Sequence, residues 1–169
     1  MIRTQTKGFT LIELLVVIAI IGVLTAVVTA QFSQAKAKSR DAKRVSDIAQ
    51  LQLIFESYYD RCGEYPAFNG EALTVTLNSG SSVAINNGCP AGVTLGSFIT
   101  RMPQPPSAGE SYTYVINPTD APTDYHLSAV LETTQSTAFN DDADFNSASW
   151  GNGGVNGVDS SRIYDVRPR

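Results

Sequence analysis

Apolar and polar positions divide this chain into a membrane-length run, an amphipathic continuation and an alternating C-terminal half. From Phe9 to Ala30 the only ionisable side chain is Glu13. At about 1.5 Å per residue that run spans the ~30 Å hydrocarbon core of a bilayer, so it predicts a single membrane crossing. After a polar stretch over residues 31 to 44, apolar side chains recur at Val45, Ile48, Leu51, Phe55 and Tyr58 or Tyr59. This three- and four-residue spacing is that of an amphipathic helix. No Pro or Gly interrupts residues 23 to 62, which predicts one helix of roughly fifty residues, ended by Gly63 and Pro66. Two helices broken between residues 31 and 40 are the alternative.

Further on the period changes to two. Tyr112, Tyr114 and Ile116 share one face of a strand, and Tyr125, Leu127, Ala129 and Leu131 share a face of another. Residues 117 to 123, with Pro118 and Pro122, make the polar turn between them. Residues 74 to 77 and 82 to 85 offer an additional hairpin around Asn78, Ser79 and Gly80. The fold class is α+β: a long N-terminal helix, transmembrane then amphipathic, packed on a small antiparallel sheet. A head of about 110 residues buries a modest single core by laying that sheet on the second half of the helix.

Glu13 in an apolar helix calls for a reason, because a carboxylate at mid-membrane costs roughly 2.5 to 3.5 kcal/mol, less near an end. One reading is local. Thr10 followed three residues later by Glu13 forms a capping box, in which each side chain satisfies a free backbone N–H of the helix start. The other looks to the cationic stub before it, residues 1 to 8, which carries Arg3 and Lys7 and ends in Gly8. Cleavage after Gly8 creates a new amino group on Phe9, able to pair with Glu13 of a neighbouring subunit and set the register of assembly. An ordinary signal peptide is cut after its apolar core. Here the candidate site precedes the core, so the mature chain keeps its membrane segment.

Residues 7 to 24, opening Lys7-Gly8-Phe9-Thr10-Leu11-Ile12-Glu13, resemble the processing and assembly signature of type IV pilins and of the pseudopilins of type II secretion systems. That resemblance implies cleavage between Gly8 and Phe9 by a prepilin peptidase, N-methylation of Phe9 by the same peptidase/methyltransferase, and a helical homopolymer built through the N-terminal helix and Glu13. Implied partners are an inner-membrane assembly platform, minor pilins or pseudopilins, and membrane lipid before assembly. The implied location is a single pass of the inner membrane with the head outside the cytoplasm, and a filament in the periplasm or on the cell surface. Where many relatives carry a helix-bending Pro, this chain has Ala30, leaving Gly22 as the weak point of the helix. The segments Tyr59-Asp60-Arg61-Cys62-Gly63-Glu64-Tyr65-Pro66, Phe98-Ile99-Thr100-Arg101-Met102-Pro103 and Tyr112-Thr113-Tyr114-Val115 are similar to the helix exit and strand approach of major pseudopilins. The organisation expected is a leader at 1–8, an assembly helix at 9–30, its amphipathic half at 31–62, and a head at 63–169 with a loop at 69–94 and an acidic, Gly-rich tail at 139–169. A major pilin of an extended surface fibre shares these motifs, and a membrane-anchored ligand-binding or adhesive module is the further alternative.

Charge is unevenly spread. Residues 1–50 carry 7 basic and 3 acidic side chains, a balance of +4, and residues 51–169 carry 5 and 13, a balance of −8. An acidic head argues against binding nucleic-acid phosphates directly. Lys36, Lys38, Arg40, Lys43 and Arg44 follow the membrane run, against Arg3 and Lys7 before it, which the positive-inside rule reads opposite to the orientation the resemblance implies. A solvated helix face is the plain reading of that basic run, a lipid-headgroup or partner patch the other.

Cys62 and Cys89 are the only cysteines. In an exterior head an even pair reads as a disulfide, with free thiols or a shared metal as alternatives. Asp141, Asp142, Asp144 and Asn146 set oxygen ligands on one loop, and Asp159 lies across a Gly-rich segment. That chemistry suits calcium, which major pseudopilins are known to bind in this region, though the spacing is not that of an EF-hand and a solvated acidic turn is the alternative. Enzymatic readings find little support. The lone His126 alternates with sheet residues, which places it at a surface or edge strand. There is no Gly-x-Ser-x-Gly elbow, phosphate loop or dinucleotide fingerprint. Trp150 is expected to pack the tail.

Overall fold

The computed structural model describes residues 8–66, 74–77, 89, 93, 95–117, 123–134, 136–150, 157 and 162–168. Helix α1 runs unbroken over Leu11–Cys62, 52 residues, so the alternative of two helices is set aside. It ends where the sequence predicts. Gly63 takes φ +75° and its N–H donates to the Tyr59 carbonyl at 2.7 Å, the left-handed cap that a glycine adopts without a Cβ penalty.

The chain divides into two compact units, Met1–Ala37 and Lys38–Arg169. In the first, the described residues are a bare helix whose large apolar side chains, from Phe9 to Phe32, are exposed. It is long and apolar enough to cross a membrane. The Thr25 and Thr29 hydroxyls donate to the carbonyls of Ile21 and Thr25, both at 2.7 Å, which satisfies their polar groups within the helix as an apolar solvent demands.

The second unit holds an antiparallel sheet of strands β1 (Thr74–Leu77), β2 (Tyr112–Ile116), β3 (Tyr125–Val130) and β4 (Ile163–Val166), in that spatial order. Both strands predicted from alternation are present. The 74–77 arm is a strand too, but it pairs with β2, and its expected partner at 82–85 lies outside the described residues. Strand β4, which the sequence did not reveal, pairs with β3 through Leu127↔Val166 and Ala129↔Tyr164.

One face of this sheet lies on α1. Ile48, Leu51, Ile54 and Phe55 of the helix form one buried cluster with Tyr112, Tyr114, Tyr125, Leu127, Ala129, Tyr164 and Val166. Phe55 packs on Tyr114 at 4.7 Å and on Tyr125 at 5.5 Å between ring centroids. Just past the cap, Tyr65 folds back onto Tyr59 and Tyr125, at 4.5 and 4.7 Å. Three buried phenols find acceptors: Tyr112 donates to Asp47 at 2.6 Å, Tyr114 to the Pro66 carbonyl at 3.0 Å and Tyr65 to Glu56 at 3.0 Å. A Cys62–Cys89 disulfide, with Cα atoms 4.5 Å apart, fixes residue 89 to the helix end.

The opposite face of the sheet carries three buried polar side chains, His126, Ser128 and Asp165. His126 stands across from Val115 in the pairing of β2 with β3 and is fully buried. It therefore sits in a central strand beneath the loop that contains Ser147, not at the surface or on an edge strand as its alternation suggested.

Candidate functional site

At its start, α1 is closed by the capping box. Glu13 Oε2 accepts from the Thr10 backbone N–H and from the Thr10 hydroxyl, both at 2.8 Å, and the Glu13 N–H donates to Thr10 Oγ1 at 3.3 Å. Just before it, Gly8 and Phe9 are exposed. Among the described residues, a Cβ added at Gly8 would meet no atom within 4 Å. Packing against the described residues therefore gives no reason for a glycine there. A Cβ added at Gly22 likewise would meet nothing within 4 Å among the described residues.

Downstream, the basic run is largely consumed by the head. Arg44 is 1% exposed and its guanidinium bonds to Asp41 at 2.7 Å on its own helix, to Glu110 at 2.6 Å before β2 and to Glu132 at 2.8 Å after β3. Arg40 pairs with the same Glu132. Lys43 pairs with Asp47 and donates to the Gln104 carbonyl at 2.6 Å. Asp41 in turn accepts the backbone N–H groups of Glu132 and Thr133 at 2.8 and 2.9 Å. The Arg40 guanidinium, and after it that of Arg44, hold the Glu132 carboxyl down at about 2. These residues clasp α1 to the strand ends of the head, and the solvated reading of the run fails at Arg44, which is buried. Lys36 and Lys38 remain exposed, Lys36 lying 5.1 Å above the Phe32 ring.

Residues missed from the sequence are Asp41, Glu110, Glu132 and Asp165. A signal existed for the helix partners, since Asp41 and Arg44 continue the buried stripe of Ile48, Leu51 and Phe55 backwards by three- and four-residue steps.

The acidic loop does not assemble a cation site from its described residues. Asp141 lines a cleft with Lys38 and Thr133, Asp142 turns its carboxylate inward, and Asp144 is exposed at φ +46°. Asn146 turns its Oδ1 onto the Ala148 N–H at 2.9 Å. Among the described residues no three His, Cys, Asp or Glu side chains converge on a point, and Asp159 lies outside them. Calcium takes 6–8 oxygen ligands facing a common centre, and the described members of the set do not by themselves supply that number. Trp150 packs on Phe145 at 5.0 Å, as a residue that closes the tail.

A family model for the prokaryotic N-terminal methylation motif matches residues 3–29. The type II secretion system core protein G of Aeromonas hydrophila is 31% identical over 104 residues, 62% of this chain and 69% of that protein. Its namesake in Klebsiella pneumoniae is 32% identical over 102 residues, 60% of this chain and 69% of that protein. The type IV major pilin protein PilA of Myxococcus xanthus is 33% identical over 67 residues, 40% of this chain and 30% of that protein. No solved structure matches the chain.

Proposed function

This chain belongs to the type IV pilin and type II secretion pseudopilin family, whose members are filament subunits, and we propose that it is a major pseudopilin. In this reading the precursor is held in the inner membrane by the first half of α1, cut after Gly8 and methylated on Phe9. It then polymerises with copies of itself at an assembly platform. Glu13, freed from its capping box, pairs with the Phe9 amine of a neighbouring subunit, and the acidic head faces the periplasm.

The observation that carries the choice of pseudopilin is the reach of the similarity. It extends over 104 residues to a secretion core protein, beyond the helix and into the head, against 67 residues to a major pilin. The exposed apolar helix supports assembly, since a bare surface of that size needs lipid or other helices around it. The exposed Gly8, which packing against the described residues does not require, supports processing.

Intact-mass and N-terminal analysis of protein from sheared surface filaments and, separately, from membranes of the native host tests the reading. Mature chains beginning at methylated Phe9 and confined to the membrane fraction are expected. The same chains abundant in the sheared fraction would mean an extended pilus, and an uncut Met1 chain in both would reject processing altogether.

A further inference from the structure

Behind the sheet, Ser147, His126 and Asp165 form a line of polar side chains, all fully buried. His126 Nδ1 lies 2.8 Å from Ser147 Oγ and Nε2 lies 2.6 Å from Asp165 Oδ2. Order and spacing resemble a hydrolytic triad, but both ring nitrogens are engaged and all three side chains are out of reach of solvent, so the line is placed to hold rather than to react.

What it holds is the acidic loop. Asp165 Oδ2 also accepts the Phe145 N–H at 3.0 Å, and the Asp165 backbone carbonyl accepts the Ala143 N–H at 3.0 Å. The Phe145 carbonyl accepts the Gly157 N–H at 2.9 Å. A Cβ at residue 157 would collide with the Asp165 carboxylate, so this approach of two backbones over a buried acid requires glycine. The Phe145 ring stands edge-on to His126 at 5.4 Å between centroids, and the Arg167 guanidinium covers its outer side at 3.8 Å.

We propose that this Ser147–His126–Asp165 line is a metal-independent latch, which orders residues 141–150 on the sheet by protein hydrogen bonds where calcium was expected to do so. The inference goes beyond the filament reading and does not depend on it. It rests on two facts of the same loop: among the described residues no three of its acidic side chains group together, while its backbone N–H groups and one hydroxyl converge on two buried residues of β3 and β4. A buried hydrogen-bonded network of this kind specifies one arrangement strongly, because each group left unpaired costs its full desolvation.

Hydrogen exchange read by mass spectrometry on the full chain in detergent micelles tests the latch, with calcium chloride or with the chelator EGTA. In the unsubstituted chain, peptides covering 141–150 are expected to exchange at the same rate in both. In His126→Ala the same peptides are expected to exchange faster, on the order of tenfold or more, while peptides from β2 stay protected. Faster exchange of the loop with EGTA alone would overturn the proposal and return the loop to calcium. So would a His126→Ala loop that stays protected. If His126→Ala loses the whole sheet, Ser147→Ala, which leaves the His126–Asp165 bond intact, decides: selective loss of loop protection supports the latch, and an unchanged loop overturns it.

Discussion

Arg44 of α1 lies 2.8 Å from the carboxylate of Glu132, just beyond β3, and through this contact the helix grips the head with charge as well as with its apolar stripe. The guanidinium is almost wholly out of water, and Asp41 and Glu110 complete its surroundings. Removing the cation leaves Asp41 and Glu110 without their ion pair, and Glu132 with Arg40 alone. Arg44→Leu is therefore expected to destabilise the head by about 3 to 5 kcal/mol, and Arg44→Lys to recover only part of that loss, because an ammonium lacks the planar five-donor fork of a guanidinium. Urea unfolding of the full chain in micelles, followed by the fluorescence of Trp150, measures both.

Acid should open the same clasp. The Glu132 carboxyl sits at about 2 in the folded head, against an ordinary value of 4.5, so between those values the unfolded chain binds the proton more readily. Its contribution to stability is full above about pH 4.5 and is lost as pH falls towards about 2. Thermal unfolding is expected at a lower temperature near pH 3 than near pH 6. Glu132→Gln should start lower and lose less over that interval; an equally steep decline in the variant would assign the acid response to other carboxylates.

Much of this head was legible because its signals are periodic. The stripe from Ile48 to Tyr58 and the alternation in β2 and β3 each repeat over several residues, and both fold as written. The capping box and the Gly63 stop were legible for another reason: each is a local rule that closes within four residues. Strand β4 was not, since Ile163–Val166 offers four residues, one of them an aspartate, which strands disfavour. That aspartate was itself the clue, for a carboxylate in a strand needs a buried partner, and the lone histidine one strand away supplies it. The pairing of Arg40 and Arg44 was not legible because charge pairs at a sequence distance of 66 to 92 residues leave no mark on local pattern.

The disulfide closes a sequence separation of 27 residues. Reduction, or Cys89→Ser, is expected to cost the head roughly 3 to 4 kcal/mol by constraining the unfolded chain less. Helix content should hardly change, because the Gly63 N–H to Tyr59 carbonyl bond ends α1 without help from the sulfurs. Denaturant midpoints with and without dithiothreitol, alongside far-ultraviolet circular dichroism, separate the two effects. A large fall in helix signal on reduction would show that the bridge, and not the glycine cap, fixes the helix end.

Glu13 has two tasks that substitution can pull apart. As a cap it needs an oxygen acceptor at the third helical position, and glutamine serves there almost as well as glutamate. As a partner for the Phe9 amine of another subunit it needs a negative charge in an apolar surround, where a neutral amide recovers little. Glu13→Gln is therefore expected to keep the helix start and lose polymerisation. Thr10→Val, which removes the hydroxyl from the capping box, is expected to cost about 1 kcal/mol of helix stability and to leave polymerisation standing. Recovery of crosslinked oligomers from cells expressing each variant reads assembly, and amide exchange at Leu14, whose N–H donates to the Thr10 carbonyl at 3.3 Å, reads the cap. Filaments from Glu13→Gln would mean that the carboxylate is present for the helix alone, and the account of a charge held in the membrane for assembly would then fail.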